Sequence, residues 1–442
     1  MKIKLTIIIV FCFFIIGVSF FSKTPIPAAA LVSPCPAETK PFPSYNTDFP
    51  PNERWCDKVF QLSQNYHEAS SLPDAQPWKQ IVLRRDDFKD KWKEYLFAVL
   101  KYAYEGNIEK DWVVQENKSR KWFHAPWMHS GITGREFMHG LTMERSSCIS
   151  ELTEGKPCSD DNVPIQNWAV SVYNEPGGSY IRKVWQEMYN AKLDPSKPNL
   201  KPNPAKFPAE GFPEGTVAIK LLFTQADLSY LKNSIEWRAD IYRSKAPPQV
   251  MRLLQVDVSV RDNNSPTGWV FGTFIYNNDA SPMPYNIELA PDKQGWLKVK
   301  PLGLMYGNDP EENFLNEQSE IGVPQHFGCN NRLNGPVDNY RSSCISCHAT
   351  AEAAYDFKYV KYPFAMNCTP KTDAFWFRNI NPRSKKLEER TLSAPDKKTF
   401  SLDYSLQLRK GLERCCQAKV CKCEQPPTGT KSQEVTRQGI FE

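Results

Sequence analysis

The chain has 442 residues, with 55 Lys and Arg against 50 Asp and Glu, a net charge of +5. That excess is spread along the chain without a basic block, which excludes a nucleic-acid partner held by a charged patch. The length exceeds one small core and suits two modest domains, while 36 Pro against 21 Gly indicates ordered loops rather than low-complexity sequence.

Lys2 and Lys4 precede an apolar run from Leu5 to Phe21, followed by Pro25, Pro27 and Ala28, Ala29 and Ala30. This is the order of a secretory signal, so residues 1–30 are expected to be removed and the mature protein to lie in the periplasm. An uncleaved anchor is the alternative, since the run is at the short limit of a membrane span. An N-terminal helical and loop-rich segment is expected over 31–160, entered through Pro-rich sequence. Within it Trp92, Leu96, Val99, Leu100 and Tyr104 recur at helical spacing, which predicts a helix with one core face.

From Trp168 the texture changes to short runs rich in Val, Ile, Tyr and Phe: 168–173, 216–223, 252–260 and 269–276. These read as strands, and the long Pro-rich connections between them favour antiparallel pairing over repeated βαβ units. The expected fold class is α+β, with a largely antiparallel β domain over 161–362 and a covering C-terminal extension over 363–442.

Cys344-Ile345-Ser346-Cys347-His348 is the strongest chemical signal. Two thiols separated by two residues can add to the two vinyl groups of a haem, and the adjoining His then reaches the iron. One such motif implies one covalent haem c, with Cys344 and Cys347 as attachment points and His348 as the metal ligand. The other exported cysteines are Cys35, Cys56, Cys148, Cys158, Cys329, Cys368, Cys415, Cys416, Cys421 and Cys423. In an oxidising compartment this even set points to disulfides, with Cys148–Cys158 and Cys35–Cys56 as pairings suggested by proximity. The last four could instead bind a metal.

His124, His129 and His139 are three of only six histidines, interleaved with Met128, Met138, Arg135 and Glu136. Imidazole binds metals or carries protons near neutral pH, so this group reads as a second metal site, a sixth haem ligand, a lining of the substrate channel, or a braced loop with satisfied His. Met366 is a further possible sulfur ligand, with core packing as its alternative.

Phe212-Pro213-Glu214-Gly215-Thr216-Val217-Ala218-Ile219-Lys220, then Asp257-Val258-Ser259-Val260-Arg261-Asp262, then Gly268-Trp269-Val270-Phe271-Gly272-Thr273-Phe274 and the haem motif, resemble the cytochrome P-460 family and its relatives, the beta-type cytochromes c prime, over roughly residues 165–355. The resemblance implies a five-coordinate haem against an antiparallel β fold, a haem-modifying lysine at Lys220 and a distal carboxylate at Asp257. At the position expected for the family's distal arginine this chain has Val170. The whole chain also resembles a family of longer bacterial haem c proteins, through Trp122-Phe123-His124-Ala125-Pro126-Trp127, residues 134–140 and Leu333-Asn334-Gly335-Pro336-Val337-Asp338-Asn339, which implies no settled activity.

Strand alternation separates Lys220 from Ile219 and Leu221, and Asp257 from Val256 and Val258. If those faces meet the haem, burial is expected to lower the pKa of Lys220 and raise that of Asp257. The leading reading is a haem oxidoreductase for a small molecule, hydroxylamine or another N–O compound, with Asp257 as proton acceptor, Lys220 tuning or cross-linked to the macrocycle, and a soluble redox partner such as another cytochrome. The alternatives are an electron carrier with both axial positions filled and a binder of NO or CO without turnover.

Overall fold

The computed structural model describes residues 75–81, 83, 88–125, 136, 138–156, 158, 164–184, 211–239, 241, 249–284, 287–309, 326–338, 343–354, 376–379, 389–391 and 398–417. The signal segment, the Cys35–Cys56 pairing, His129, Met366 and Cys368, Cys421 and Cys423 lie outside them. Among the described residues no helix is long and apolar enough to cross a membrane.

The elements in chain order are α1 (Phe88–Tyr104), β1 (Trp122–His124), β2 (Thr142–Ser147), α2 (Ile149–Glu154), β3 (Ile165–Asn174), α3 (Glu175–Val184), β4 (Val217–Thr224), β5 (Glu236–Ala239), β6 (Gln249–Arg261), β7 (Trp269–Tyr276) and β8 (Val299–Met305). They are followed by β9 (His326–Phe327), β10 (Leu333–Asn334), α4 (Cys344–His348), β11 (Glu352–Ala354), β12 (Glu389–Thr391), β13 (Lys398–Ser401) and α5 (Leu406–Gln417). The fold is α+β. Its centre is an 8-stranded antiparallel sheet in the order β1-β3-β4-β6-β7-β8, with β2 also paired to β3 and β5 to β6.

The four predicted strands correspond to β3, β4, β6 and β7. The predicted helix is α1, and Trp92, Leu96, Val99, Leu100 and Tyr104 are all buried. It lies against one face of the sheet. Leu96 packs so closely on Gly272 that a Cβ there would overlap Leu96 Cδ2, and Phe97 meets Phe274 with ring centroids 5.7 Å apart. The Cys-x-x-Cys-His helix α4 packs on the other side, where Phe271 meets His348 at 4.8 Å.

The described part of the segment before residue 160 is not separate from the β domain. β1 and β2 pair directly with β3, and α1 shares the same hydrophobic core, so the boundary expected at 160 falls inside one sheet. The described part of the C-terminal extension is likewise built in, since β13 pairs with β11 immediately after the Cys-x-x-Cys-His helix. Cys148 and Cys158 form a disulfide with Cα atoms 5.6 Å apart, as proximity suggested. It closes on α2 at the end of β2, where Arg145 pairs with buried Glu151.

Candidate functional site: a cleft between the sheet and the Cys-x-x-Cys-His helix

The sheet face opposite α1 carries a cross-strand row: Ser171 on β3 faces Lys220 on β4, which faces Asp257 on β6, which faces Thr273 on β7. Period-two alternation sends these side chains to one side and Val170, Val172 and Leu221 to the other. Lys220, Asp257, Asp338, Cys344, Cys347 and His348 line one cleft, with Tyr173, Phe212, Trp269 and Phe271 as its aromatic walls. About 1050 Å³ of atom-free space lies within it, counted out to its open mouth.

Neither Cys344 nor Cys347 is held in a disulfide, whereas Cys148 and Cys158 are joined. His348 is positioned from the far end of the chain. Its Nδ1 lies 2.7 Å from the backbone carbonyl of Tyr404. A carbonyl only accepts, so Nδ1–H donates and the lone pair sits on Nε2. Burial lowers the imidazole pKa to about 4, against a smaller opposing effect of the carbonyl bond, so the ring is neutral at pH 7.

The Tyr404 carbonyl is aimed by an unusual turn. Asp403 and Tyr404 both have positive φ, 51° and 60°. Few non-glycine residues adopt that region without a constraint that holds them there. The constraint is the Asp403 carboxylate, which accepts hydrogen bonds from Trp269 Nε1 at 2.9 Å and from the Phe212 backbone N–H at 2.7 Å. Gly211 leaves the necessary space, since a Cβ there would overlap Asp403 Oδ2.

Lys220 Nζ forms an ion pair with Glu144 Oε2 at 2.8 Å, its side chain 23% exposed and that of Glu144 1%. Burial alone would lower the lysine pKa, as the sequence led us to expect. The carboxylates of Glu144, Asp257 and Asp338 outweigh it and push the value up to about 12. Asp257 shifts as expected. Burial is the first cause and the Asp338 carboxylate the second, and they exceed the opposing pull of Lys220 and of hydrogen bonds from Gln255 Nε2 at 2.8 Å and Thr273 Oγ1 at 2.9 Å.

Val170 lines a second cavity, on the α1 side of the sheet, with His124, Met138, His139, Val172, Leu221 and Trp237. The distal-arginine position inferred from the resemblance therefore faces away from the cleft, which takes Ser171 and Tyr173 from this strand instead. His124 and His139 share that second cavity and do not reach His348's side of the sheet. His139 stacks on Trp237 with ring centroids 4.4 Å apart, held in a loop where Glu136 accepts from the N–H groups of Met138, His139 and Leu141.

Two cysteines on one helix, neither in a disulfide, a neutral imidazole with its Nε2 lone pair available and aromatic walls can hold a haem through two thioethers and one axial bond. Glu144, Asp338, Gln255 and the Tyr404 carbonyl were not singled out from sequence, although Asp338 lies in the Leu333–Asn339 run. Comparison of the chain with known protein families, with curated proteins and with solved structures gave no match.

Proposed function

We propose that the cleft receives one haem c, bound through Cys344 and Cys347 with His348 Nε2 on the iron, in a cytochrome P-460-like haem oxidoreductase for a small molecule. The single observation that carries this reading is the hydrogen bond from His348 Nδ1 to the Tyr404 carbonyl. It fixes the tautomer that leaves Nε2 free, the arrangement that ligating histidines require.

A bound haem would supply an iron centre able to take electrons from substrate. The chain's own groups suit an N–O compound such as hydroxylamine, whose oxidation releases protons. Asp257, with its raised pKa, can accept a proton near neutral pH and give it up again. Lys220 stands as a fixed cation in the same cleft. A cross-link to the macrocycle needs an uncharged amine, and the ion pair with Glu144 keeps Lys220 protonated, so we assign it as a side chain not joined to the macrocycle that acts through charge. Electrons would pass to a soluble partner such as another cytochrome, and the N-terminal signal pattern supports a periplasmic location.

The test is expression of the full chain with a haem-attachment system, followed by acid-acetone extraction and a pyridine haemochrome spectrum. Retained haem in the wild type, lost in Cys344→Ala/Cys347→Ala, is the expected result. Extractable haem or none in the wild type would overturn the reading. Reduction of a soluble cytochrome on adding hydroxylamine then tests the substrate class.

A further inference from the structure

Asp338 has no part in the strand pattern, yet the loop after β10 brings it to the row on the sheet. One carboxylate oxygen each from Asp257 and Asp338, with the Cys344 sulfur, lie within 4.8 Å of one another. Gln255, fully buried, bridges the two acids: its Nε2 donates to Asp257 Oδ1 at 2.8 Å and approaches the Asp338 oxygens at 3.4 and 3.5 Å. Asp338 is fixed from behind, where Oδ2 accepts the Gly335 N–H at 2.8 Å. Gly335 is required there, since a Cβ would overlap Gln255 Oε1 and meet Asp338 Oδ2 at 2.9 Å.

We infer that Asp257 and Asp338 form a carboxylate pair that holds a single shared proton beside the Cys344 sulfur. Two ionised carboxylates this close, in a partly buried site, repel each other strongly, and one shared proton relieves that repulsion. The surrounding charges leave the pair in that state. Lys220 on β4 is the nearby cation, but its direct ion pair is with Glu144 on β2. Lys410 on α5 also acts on Glu144. From α4 the Cys344 thiol faces Asp338 Oδ2 at 3.6 Å, and Thr273 on β7 donates to Asp257. The pKa values of both aspartates are raised, first by burial.

In turnover the ionised oxygen of the pair would accept a proton from a substrate N–H or O–H, and the protonated one would return it to solvent. That role rests on the proposed haem function, whereas the pairing itself does not. A pair that holds one proton can act in both directions, which a lone carboxylate at the same pH does less well.

Infrared difference spectroscopy of the full-length protein tests the pairing directly and does not depend on haem content. The wild type at pH 7 should show the carbonyl stretch of a protonated buried acid, shifted in D2O. Asp257→Asn and Asp338→Asn should each abolish it, because removing either acid lets Lys220 hold the other ionised. Loss in only one of these variants, loss in Glu144→Gln alone, or no band in the wild type would overturn the pair. A titration of the unmodified protein covers the case of variants that do not fold. Two protonation steps several pH units apart are expected, and two overlapping steps near pH 4 would refute the inference. The haemochrome result stands apart from all of these outcomes.

Discussion

His348 and Tyr404 are joined by a 2.7 Å hydrogen bond across 56 residues of chain, so the C-terminal extension orients the imidazole of the Cys-x-x-Cys-His helix. In ligating histidines, loss of such a partner weakens metal binding about 10–100-fold. A chain ending at residue 397 lacks the carbonyl. Where acid releases the ligand by protonating one imidazole, the release midpoint should therefore rise by about one to two pH units. An acid titration of the Soret band compares the two proteins, and coincident midpoints would show that the carbonyl bond does not support the ligand.

Lys220 and Glu144 form a largely buried ion pair, and removing one member of such a pair costs about 3–5 kcal/mol because the other is left uncompensated. Partial exposure of Lys220 places the expected loss for Lys220→Met toward the lower end of that range. Lys220→Met with Glu144→Leu should recover most of it. Urea denaturation of the two variants measures the difference. A double variant no more stable than the single would sink the account.

Asp257 has a pKa of about 7, raised first by burial and then by Asp338. In the unfolded chain the value is about 3.9. Between those values the folded state binds more protons than the unfolded, so this group's contribution to stability falls as pH rises from about 4 to about 7. Asp257→Asn removes the penalty and should be more stable than the wild type at pH 8, by roughly 1–3 kcal/mol, with little difference at pH 4. Thermal unfolding at both pH values checks the sign, and a variant destabilised at pH 8 would contradict it.

His124 and His139 belong to the cavity on the α1 side of the sheet. Replacing either with Ala should leave the absorption spectrum of the haem-loaded protein and its CO affinity unchanged within about twofold, since neither side chain reaches the cleft. A shift in the Soret maximum would return these residues to the haem environment.

The grouping of Cys344, Cys347 and His348 was legible because it is local: two cysteines and an imidazole within five consecutive residues. Lys220 and Asp257 were legible as facing outward from apolar neighbours, and antiparallel pairing of β4 with β6 then set them side by side. Glu144 was hidden because β2 is irregular, its register shifting between Met143 and Ser146 just where the acid turns toward Lys220. Asp338 follows a two-residue strand, too short for alternation to show a face. Tyr404 could not be found from its side chain at all, since the group that matters is its backbone carbonyl. The reversal of the Lys220 shift has the same origin, because it depends on acids that only the tertiary fold assembles.

The two cavities lie back to back, separated by the thickness of a single sheet, and their linings alternate along β3 and β4: Val170, Ser171, Val172 and, in the partner strand, Leu221, Lys220. One consequence concerns insertions and deletions rather than substitutions. Adding or removing one residue within β4 would exchange every side chain between the faces, sending Lys220 among Trp237 and Val172 and presenting Leu221 to the cleft. Removing two would restore the sides and displace the row by one pair, past Asp257. This part of the chain is therefore expected to tolerate changes of residue far better than changes of length, and a single-codon deletion there should abolish folding where Ile219→Val merely weakens it by about 0.5–1.5 kcal/mol.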